Sequence, residues 1–408
     1  MADFYQNGIV TTLHNLSERP IDELEKELIK FSKKRPMGLI LPSLFSELEG
    51  PALANIVDEL CDVPYLSQIV IGLDRADLEQ YQHALGFFSR LPQHHRILWN
   101  DGPRLKALDA QLEALGLAPK ELGKGRNVWY CMGYVLASNK AESVALHDCD
   151  ILTYERSLLA KLIYPVANPQ FNYEFCKGYY ARVADGKING RVSRLLVTPL
   201  LRALKKVVGP SAYLDYMDSF RYPLAGEFSF RKDVLNDIRI PSDWGLEIGV
   251  LSEMHRNYSP NRLCQADIAQ TYDHKHQDLS AHDDQGGLSK MSIDITKSLL
   301  RKLATQGETF SMESFRTLKA TYYRIALDFV EAYHNDAIMN GLDLDIHSEE
   351  KAVELFAQNI MKAGENFLVN PMETPFMPCW NRVVSAMPDV LEKLKEAVEA
   401  DFNEFQAS

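Results

Sequence analysis

Apolar runs alternate with amphipathic stretches along the first third of the chain. Four short runs have the length and composition of buried strands: MGLILP (37–42), QIVIGL (68–73), RILWN (96–100) and SVALHD (143–148). Apolar residues at helical spacing separate them, over about 51–61, 105–115 and 126–138. This alternation predicts an α/β fold with a mostly parallel sheet covered on both faces. Ligands of such sheets bind beyond the carboxyl ends of the strands.

The remaining chain divides by its pattern into three parts. Residues 1–35 predict an arm and a helix beginning near Pro20. Residues 160–290 mix short strands, turns and aromatic segments. From about 292 the spacing is helical nearly to the end, over 292–306, 311–336, 348–365 and 386–406. We expect a catalytic domain at 36–290, with a donor part over 36–155 and an acceptor part over 156–290, and a helical region at 291–408 without chemistry of its own.

An amphipathic helix is also predicted over about 195–208. Its polar side carries Arg202, Lys205 and Lys206. Such a face is typical of a solvated helix, and contact with a membrane surface is the weaker alternative.

Charge and cysteine content narrow the class of protein. The 408 residues carry a formal net charge of −12, which argues against nonspecific nucleic-acid binding but leaves room for a local basic site for a small anion. The six cysteines form no C-x-x-C pair, so we expect reduced thiols in the cytoplasm and no structural zinc site. The N-terminus does not have the pattern of a signal peptide, and no run reaches the length of a membrane span.

The segment VALHDCDI carries the strongest chemical signal. Asp148 and Asp150 directly follow an apolar strand, and residues two apart in an extended segment point to the same side. Two such carboxylates can share one divalent cation, which would stabilise the charge of a departing diphosphate. Solvated aspartates at a strand end are the alternative.

A glycine-flanked lysine precedes this segment by about the length of a helix and a strand. Lys124 stands between Gly123 and Gly125 in ELGKGRNVWY, just before a predicted helix. Glycines let the backbone approach a ligand closely, and a lysine at a helix N-terminus attracts phosphate. A plain turn before a helix would look the same.

Three further segments offer polar groups. In DGKINGRVSRLL, Gly186 and Gly190 predict a flexible loop, and Arg191, Ser193 and Arg194 could bind an anion in it. A glycine turn with solvent-exposed arginines is the alternative. In YDHKHQ, His274 and His276 are candidate ligands or simply surface residues. Glu247 in WGLEIGVL is either a satisfied core carboxylate or a catalytic one.

Together these segments resemble a known family. The order LPSLFSE, GKG, HDCDI, NGRVSRLLVTPLL, PLAGEFSFRKDVL, WGLEIGVL, DHKHQ is similar to that of the retaining glucosyl-3-phosphoglycerate synthases and their mannosyl relatives, over about residues 36–285. The resemblance implies a GT-A fold, a nucleotide-sugar donor and a small anionic acceptor. It also implies a divalent ion, Mg²⁺ or alternatively Mn²⁺ or Co²⁺. The product would serve as a compatible solute.

The resemblance also implies roles for individual residues. It places Pro42, Leu44, Glu47, Asp74, Lys124 and Asp148 around the donor, and Gly190, Arg191, Ser193 and His276 around the acceptor. It places Asp148, Asp150 and His274 on the metal, with Asp150 preferred over Asp148 as the direct ligand, and Glu247 beside the reacting sugar. Two positions depart from the family pattern. The second-strand turn reads IGLDRAD, which leaves Asp74 as a candidate for the nucleobase, and His276 replaces a common asparagine.

We therefore predict retaining transfer of glucose from a nucleoside-diphosphate glucose to 3-phosphoglycerate. A mannosyl donor or free glycerate as acceptor is the alternative within the class. A nucleotidyltransferase and a catalytically silent nucleotide-sugar-binding protein are more remote alternatives. A homodimer is the default assembly.

Overall fold

The structure, a computed structural model, describes residues 6, 8–17, 19–119, 121–274, 287–371 and 376–406. Its strands are β1 (Thr11–Leu13), β2 (Met37–Leu44), β3 (Leu66–Asp74), β4 (His95–Trp99), β5 (Ser143–Leu146), β6 (Phe175–Tyr180), β7 (Val183–Ala184), β8 (Lys187–Ile188), β9 (Phe228–Arg231) and β10 (Leu263–Ala269).

Eight of these strands form one sheet in the order β1-β10-β6-β9-β5-β2-β3-β4. All neighbours are parallel except β9, which runs antiparallel to both β5 and β6. The start of β9 therefore lies at the same edge as the ends of the parallel strands. The four predicted strands at 37–42, 68–73, 96–100 and 143–148 become β2 to β5, and the predicted α/β fold is confirmed.

Helices cover the sheet and form most of the C-terminal third. They are α1 (Ile21–Ser32), α2 (Pro51–Cys61), α3 (Leu78–Phe88), α4 (Pro103–Ala114), α5 (Lys124–Ser138), α6 (Arg156–Ala167), α7 (Thr198–Val208), α8 (Ala212–Asp218), α9 (Val234–Asp237), α10 (Leu246–Asn257), α11 (Gly287–Ala304), α12 (Met312–Asn340), α13 (Ile346–Val369), α14 (Trp380–Ala386) and α15 (Val390–Gln406). A π-helical stretch, Val192–Val197, leads directly into α7.

The segment after Tyr180 differs from the predicted flexible loop. Residues 183–188 form a hairpin, β7–β8, because Asp185 and Gly186 both adopt the positive φ angles that a tight turn requires. Gly190, at φ +78°, then turns the chain into the helix, and the Arg194 amide donates to the Gly190 carbonyl. Arg191 and Ser193 thus lie in the first turn of a helix and not in a loop.

The C-terminal helices pack on the sheet domain and share its core. Helix α15 lies against α3, α4, α5 and β4, where Arg96 pairs with Glu399 at 2.8 Å. Trp380 of α14 stacks on Trp129 of α5, with ring centroids 4.3 Å apart. One hydrophobic cluster runs from β2 through α5 to α12, α13 and α15. The domain boundary near 290 stays a prediction. Residues on both sides of it belong to this one hydrophobic cluster.

The described helices include none with the length and apolar character needed to cross a membrane. All six cysteines are free thiols.

Candidate active site

Two strand ends and one strand start bring the polar segments together. Leu146 at the end of β5 pairs with Phe228 at the start of β9, so the residues after Leu146 lie next to Glu227. An isolated bridge between Ile151 and His274 joins the segment after β5 to the segment after β10. The carboxyl edge of the sheet therefore collects side chains that are distant in sequence.

Lys124 is shared by two carboxylates. Its Nζ lies 2.6 Å from Asp148 Oδ1 and 3.1 Å from Glu247 Oε1. Burial by itself would lower the pKa of Lys124, but Asp148 and Glu247 reverse this and raise the pKa, so the lysine is a cation. Burial raises the pKa of Asp148, against the opposing effect of Lys124.

Two glycines permit this close arrangement. A Cβ on Gly125 would lie 2.2 Å from the carbonyl oxygen of Pro241, so the start of α5 can contact the segment before α10 only without a side chain there. A Cβ on Gly226 would lie 2.2 Å from Asp148 Oδ2. The glycines therefore set how closely Lys124, Glu247 and Asp148 can approach.

Asp150 and His274 face each other beside this cluster. Asp150 Oδ1 and His274 Nδ1 lie 3.7 Å apart, and both atoms are buried without a hydrogen-bond partner among the described residues. Burial would raise the pKa of Asp150, but His274 and Lys124 lower it overall, so the carboxylate is ionised. One carboxylate oxygen and one imidazole nitrogen at this separation fit a divalent cation between them. The described residues do not include three potential metal ligands already grouped around one point. Asp148, the third expected ligand, forms an ion pair with Lys124 through Oδ1.

Glu227 is a buried carboxylate that the sequence interpretation did not assign to the site. It accepts hydrogen bonds from the hydroxyls of Tyr180 at 2.6 Å and Tyr272 at 2.7 Å, and the two rings stack at 3.6 Å. Burial, with the nearby charge of Asp148, raises the pKa of Glu227. Lys177 is also fully buried, and burial lowers the pKa of this lysine to about 8. The charges of Asp148 and Lys124 act on both Glu227 and Lys177, so this buried group lies close to the Lys124 cluster.

The predicted donor residues lie along the ends of the two neighbouring strands. Pro42 and Leu44 belong to β2, where Leu44 pairs with Asp74 of β3, and Glu47 lies in the short turn that follows. Asp74 Oδ1 accepts a hydrogen bond from Asn100 at 2.6 Å, and burial raises its pKa. These positions continue the same edge of the sheet, on the side away from β9.

The predicted acceptor residues lie at the start of the helix that precedes α7. Arg191 donates from Nε to Glu349 Oε1 at 2.6 Å, and its side chain is 32% exposed. Ser193 is buried, and its hydroxyl has no partner among the described residues. His276 lies outside the described residues.

Several residues of this site were not predicted from the sequence. Lys177 and Tyr180 belong to β6, Glu227 directly precedes β9, and Tyr272 follows β10. A polar or phenolic residue in or beside an apolar strand is common, so its presence does not indicate a functional role. Only Glu227 carried a usable signal, a carboxylate between a glycine and the apolar run FSF. Glu349 lies on a helix that was predicted to be without chemistry, and helical periodicity does not indicate what a helix contacts.

Comparison with known proteins identifies full-length relatives. The chain is 46% identical over 401 residues to a glucosyl-3-phosphoglycerate synthase from Persephonella marina, a match that covers 98% of this chain and 99% of the relative. It is 40% identical over 407 residues to the glucosyl-3-phosphoglycerate synthase from Methanococcoides burtonii, covering 99% of both chains. No family model matches the chain.

A solved structure shares the fold. The crystal structure of glucosyl-3-phosphoglycerate synthase from Mycobacterium tuberculosis in complex with Mn²⁺, UDP-glucose and phosphoglyceric acid matches with a TM-score of 0.53. It is 18% identical in sequence, and the match covers 72% of this chain and 88% of that one. The sheet and its surrounding helices therefore have the GT-A architecture.

Proposed function

We infer the function from one premise, which the full-length relatives establish: this chain belongs to the glucosyl-3-phosphoglycerate synthase family. It is a metal-dependent glycosyltransferase that moves glucose from a nucleoside-diphosphate glucose to 3-phosphoglycerate, with retention at the anomeric carbon. The observation that carries the proposal is the convergence of Lys124, Asp148 and Glu247 beside Asp150 and His274 at the carboxyl edge of the sheet.

Each part of this cluster has a role in the transfer. Asp150 and His274, with Asp148, would hold Mg²⁺ or Mn²⁺, and the ion supplies charge neutralisation for the donor diphosphate. Lys124 adds a fixed positive charge beside it. Pro42, Leu44, Glu47 and Asp74 line the neighbouring strand ends, where the nucleoside would lie. Positive charge placed where the diphosphate departs stabilises the transition state more than the bound donor.

The acceptor side is built around Gly190, Arg191 and Ser193. Arg191 is exposed enough to meet an anionic acceptor and can form a charge-assisted contact with a phosphate. In the transfer, the bond between the anomeric carbon and the donor phosphate oxygen breaks, and a bond to the acceptor hydroxyl forms on the same face. The acceptor proton passes to the departing diphosphate. Glu247, held by Lys124, orients the reacting sugar and does not form a covalent intermediate.

A panel of donors and acceptors tests the proposal. The purified chain is incubated with Mg²⁺, GDP- or UDP-linked glucose or mannose, and either 3-phosphoglycerate or glycerate, and the products are identified by mass spectrometry and NMR. We expect an α-glucoside of 3-phosphoglycerate. A mannoside, or preference for glycerate, moves the assignment to the alternative within the class. Release of diphosphate from a nucleoside triphosphate and a sugar phosphate would instead identify a nucleotidyltransferase.

A further inference from the structure

The C-terminal region places a buried carboxylate against the acceptor side of the site. Glu349 lies in the first turn of α13 and is 2% exposed. Its Oε1 accepts a hydrogen bond from Arg191 Nε at 2.6 Å, and its Oε2 lies 2.7 Å from Arg194 Nη1. One carboxylate therefore pairs with two guanidinium groups that directly follow the turn at Gly190.

The surrounding segment fixes Glu349 in this position. Ser348 Oγ accepts a hydrogen bond from Arg191 Nη2 at 2.9 Å, and the Asp345 side chain caps α13 by accepting from the Ser348 amide. The Asp343 amide donates to the carbonyl of Gly186, at the tip of the hairpin β7–β8. A carboxylate in the first turn of a helix is favoured by the helix dipole. The whole start of α13 thus holds the predicted acceptor segment.

The exposure of these side chains shows which of them an acceptor anion can reach. Glu349 is almost inaccessible, whereas the Arg191 side chain is one-third exposed, so an anion from solvent meets the arginine and not the glutamate. Arg194 is 9% exposed, lies 4.7 Å over the Tyr333 ring and donates from Nε to the Asn189 carbonyl. Arg194 is therefore enclosed by the protein, and Arg191 is the member of the pair that a ligand from solvent can reach.

We propose that Glu349 is a positioning residue for the acceptor: it holds the Arg191 guanidinium in the orientation that binds the acceptor anion. This inference rests on the proposed function, because it takes Arg191 as an acceptor ligand. An arginine with several rotatable bonds loses conformational freedom when it binds an anion, and an arginine already held by a buried carboxylate has less to lose. The C-terminal helical region then contributes to acceptor affinity without touching the donor.

The test is a steady-state comparison of Glu349→Gln with wild type. The glutamine keeps the size of the side chain and removes its charge. We expect the KM for 3-phosphoglycerate to rise by about 10-fold or more, with kcat within about 3-fold and the donor KM unchanged. Glu349→Asp keeps the charge but shortens the side chain, so its KM for 3-phosphoglycerate should lie between those of wild type and Glu349→Gln. It replaces Glu349→Gln in the test if the glutamine variant does not fold. The matched control is Glu350→Gln, the exposed neighbour on the same helix, with no expected change.

A double-mutant cycle shows whether Glu349 acts through Arg191. In an Arg191→Ala background, Glu349→Gln should raise the acceptor KM no further. An equal rise in both backgrounds would overturn the inference, as would an unchanged or lower acceptor KM, or a parallel rise in the donor KM. If wild-type protein does not use 3-phosphoglycerate at all, the proposed function fails. If wild type is active and Glu349→Gln behaves like wild type, only the positioning role fails.

Discussion

Lys124 Nζ lies 2.6 Å from Asp148 Oδ1, although a whole helix and a strand separate the two residues in the chain. The lysine is the first residue of α5, and the aspartate lies two residues beyond the end of β5. Helix and strand therefore run antiparallel and return the chain to the same edge of the sheet. This pair joins the glycine-flanked lysine to the D-x-D segment. Lys124 consequently stands between Asp148, which is expected to hold the metal, and the carboxylate of Glu247.

Replacing Lys124 with methionine should impair the transfer step itself. The change removes the charge that the departing diphosphate would meet, and it removes the one side chain that contacts both Asp148 and Glu247 among the described residues. We expect kcat/KM for the donor to fall by about 100- to 1000-fold. Steady-state kinetics measure this, with circular dichroism to verify folding. Lys140→Met, an exposed lysine just beyond the other end of α5, is the control and should match wild type.

Activity should depend on a divalent cation held by Asp150. Asp150→Ala removes the ionised carboxylate that faces His274, so we expect turnover to fall by about 100-fold or more and Mn²⁺ binding to weaken. Electron paramagnetic resonance of Mn²⁺ with the protein measures binding separately from turnover. Wild type stripped with chelator should regain activity when Mg²⁺ is added back. Full activity of the variant, or of chelated enzyme, would refute the metal site.

The acceptor arginine should be selective for a phosphorylated acceptor. Loss of a charge-assisted contact costs about 2–4 kcal/mol, so Arg191→Ala should lower kcat/KM for 3-phosphoglycerate by roughly 30- to 1000-fold. Donor hydrolysis without acceptor should stay unchanged, and Arg191→Lys should rescue partly because it keeps the charge but not the planar fork.

The control for this arginine is Arg202→Ala. Arg202 is an exposed arginine of α7, which continues the same helical segment. An equal loss of efficiency with glycerate and with 3-phosphoglycerate in Arg191→Ala would show that the arginine does not recognise a phosphate.

The C-terminal helices should be required for stability. Trp380 is 1% exposed, stacks on Trp129, and donates from its indole to the Trp129 carbonyl at 3.1 Å. Trp380→Ala leaves a large cavity and should lower the free energy of unfolding by about 3–5 kcal/mol. Denaturant titration measures the loss. Met339→Ala, at a position that is 79% exposed, should change it little. A Trp380→Ala protein as stable as wild type would mean that these helices are dispensable for the core.

Asp294 should make stability depend on pH. Burial, with the charge of Asp243, raises its pKa to about 6, above the value of an unfolded chain. The folded protein then binds more protons than the unfolded chain as pH rises from about 4 to about 6, so this group lowers stability over that window and the loss persists above it. Asp294→Asn should therefore be more stable than wild type at pH 8, by roughly 1–3 kcal/mol, and equal to it near pH 4.

Denaturant titrations at pH 4, 5, 6 and 8 measure this dependence on pH. Asp328→Asn is the control, since Asp328 is 54% exposed in its ion pair with Arg324 and should show no such trend. A lower stability of Asp294→Asn at pH 8 would show that the carboxylate is favourably paired in the fold.

The local sequence pattern was sufficient to predict the strands and the helix that carry the site. Apolar runs at 37–42, 68–73 and 143–148 became adjacent strands of the sheet, and Lys124 begins α5 between two glycines. These signals could be recognised because periodicity, glycine and strand-end aspartates act over a few residues. The order of the motifs also indicated the family, since each motif is a short local segment that can be identified without knowing the fold.

Long-range packing decided the rest. That Asp150 faces His274, that Glu227 lies among Tyr180 and Tyr272, and that Arg191 is held by Glu349 all depend on contacts between segments far apart in the chain. The periodicity of a helix shows that one of its faces is apolar, but it does not show which surface covers that face. The sequence of a helix therefore does not indicate whether the helix is a separate appendage or part of the core. The packing of the C-terminal helices on the sheet domain therefore became apparent only in the folded protein.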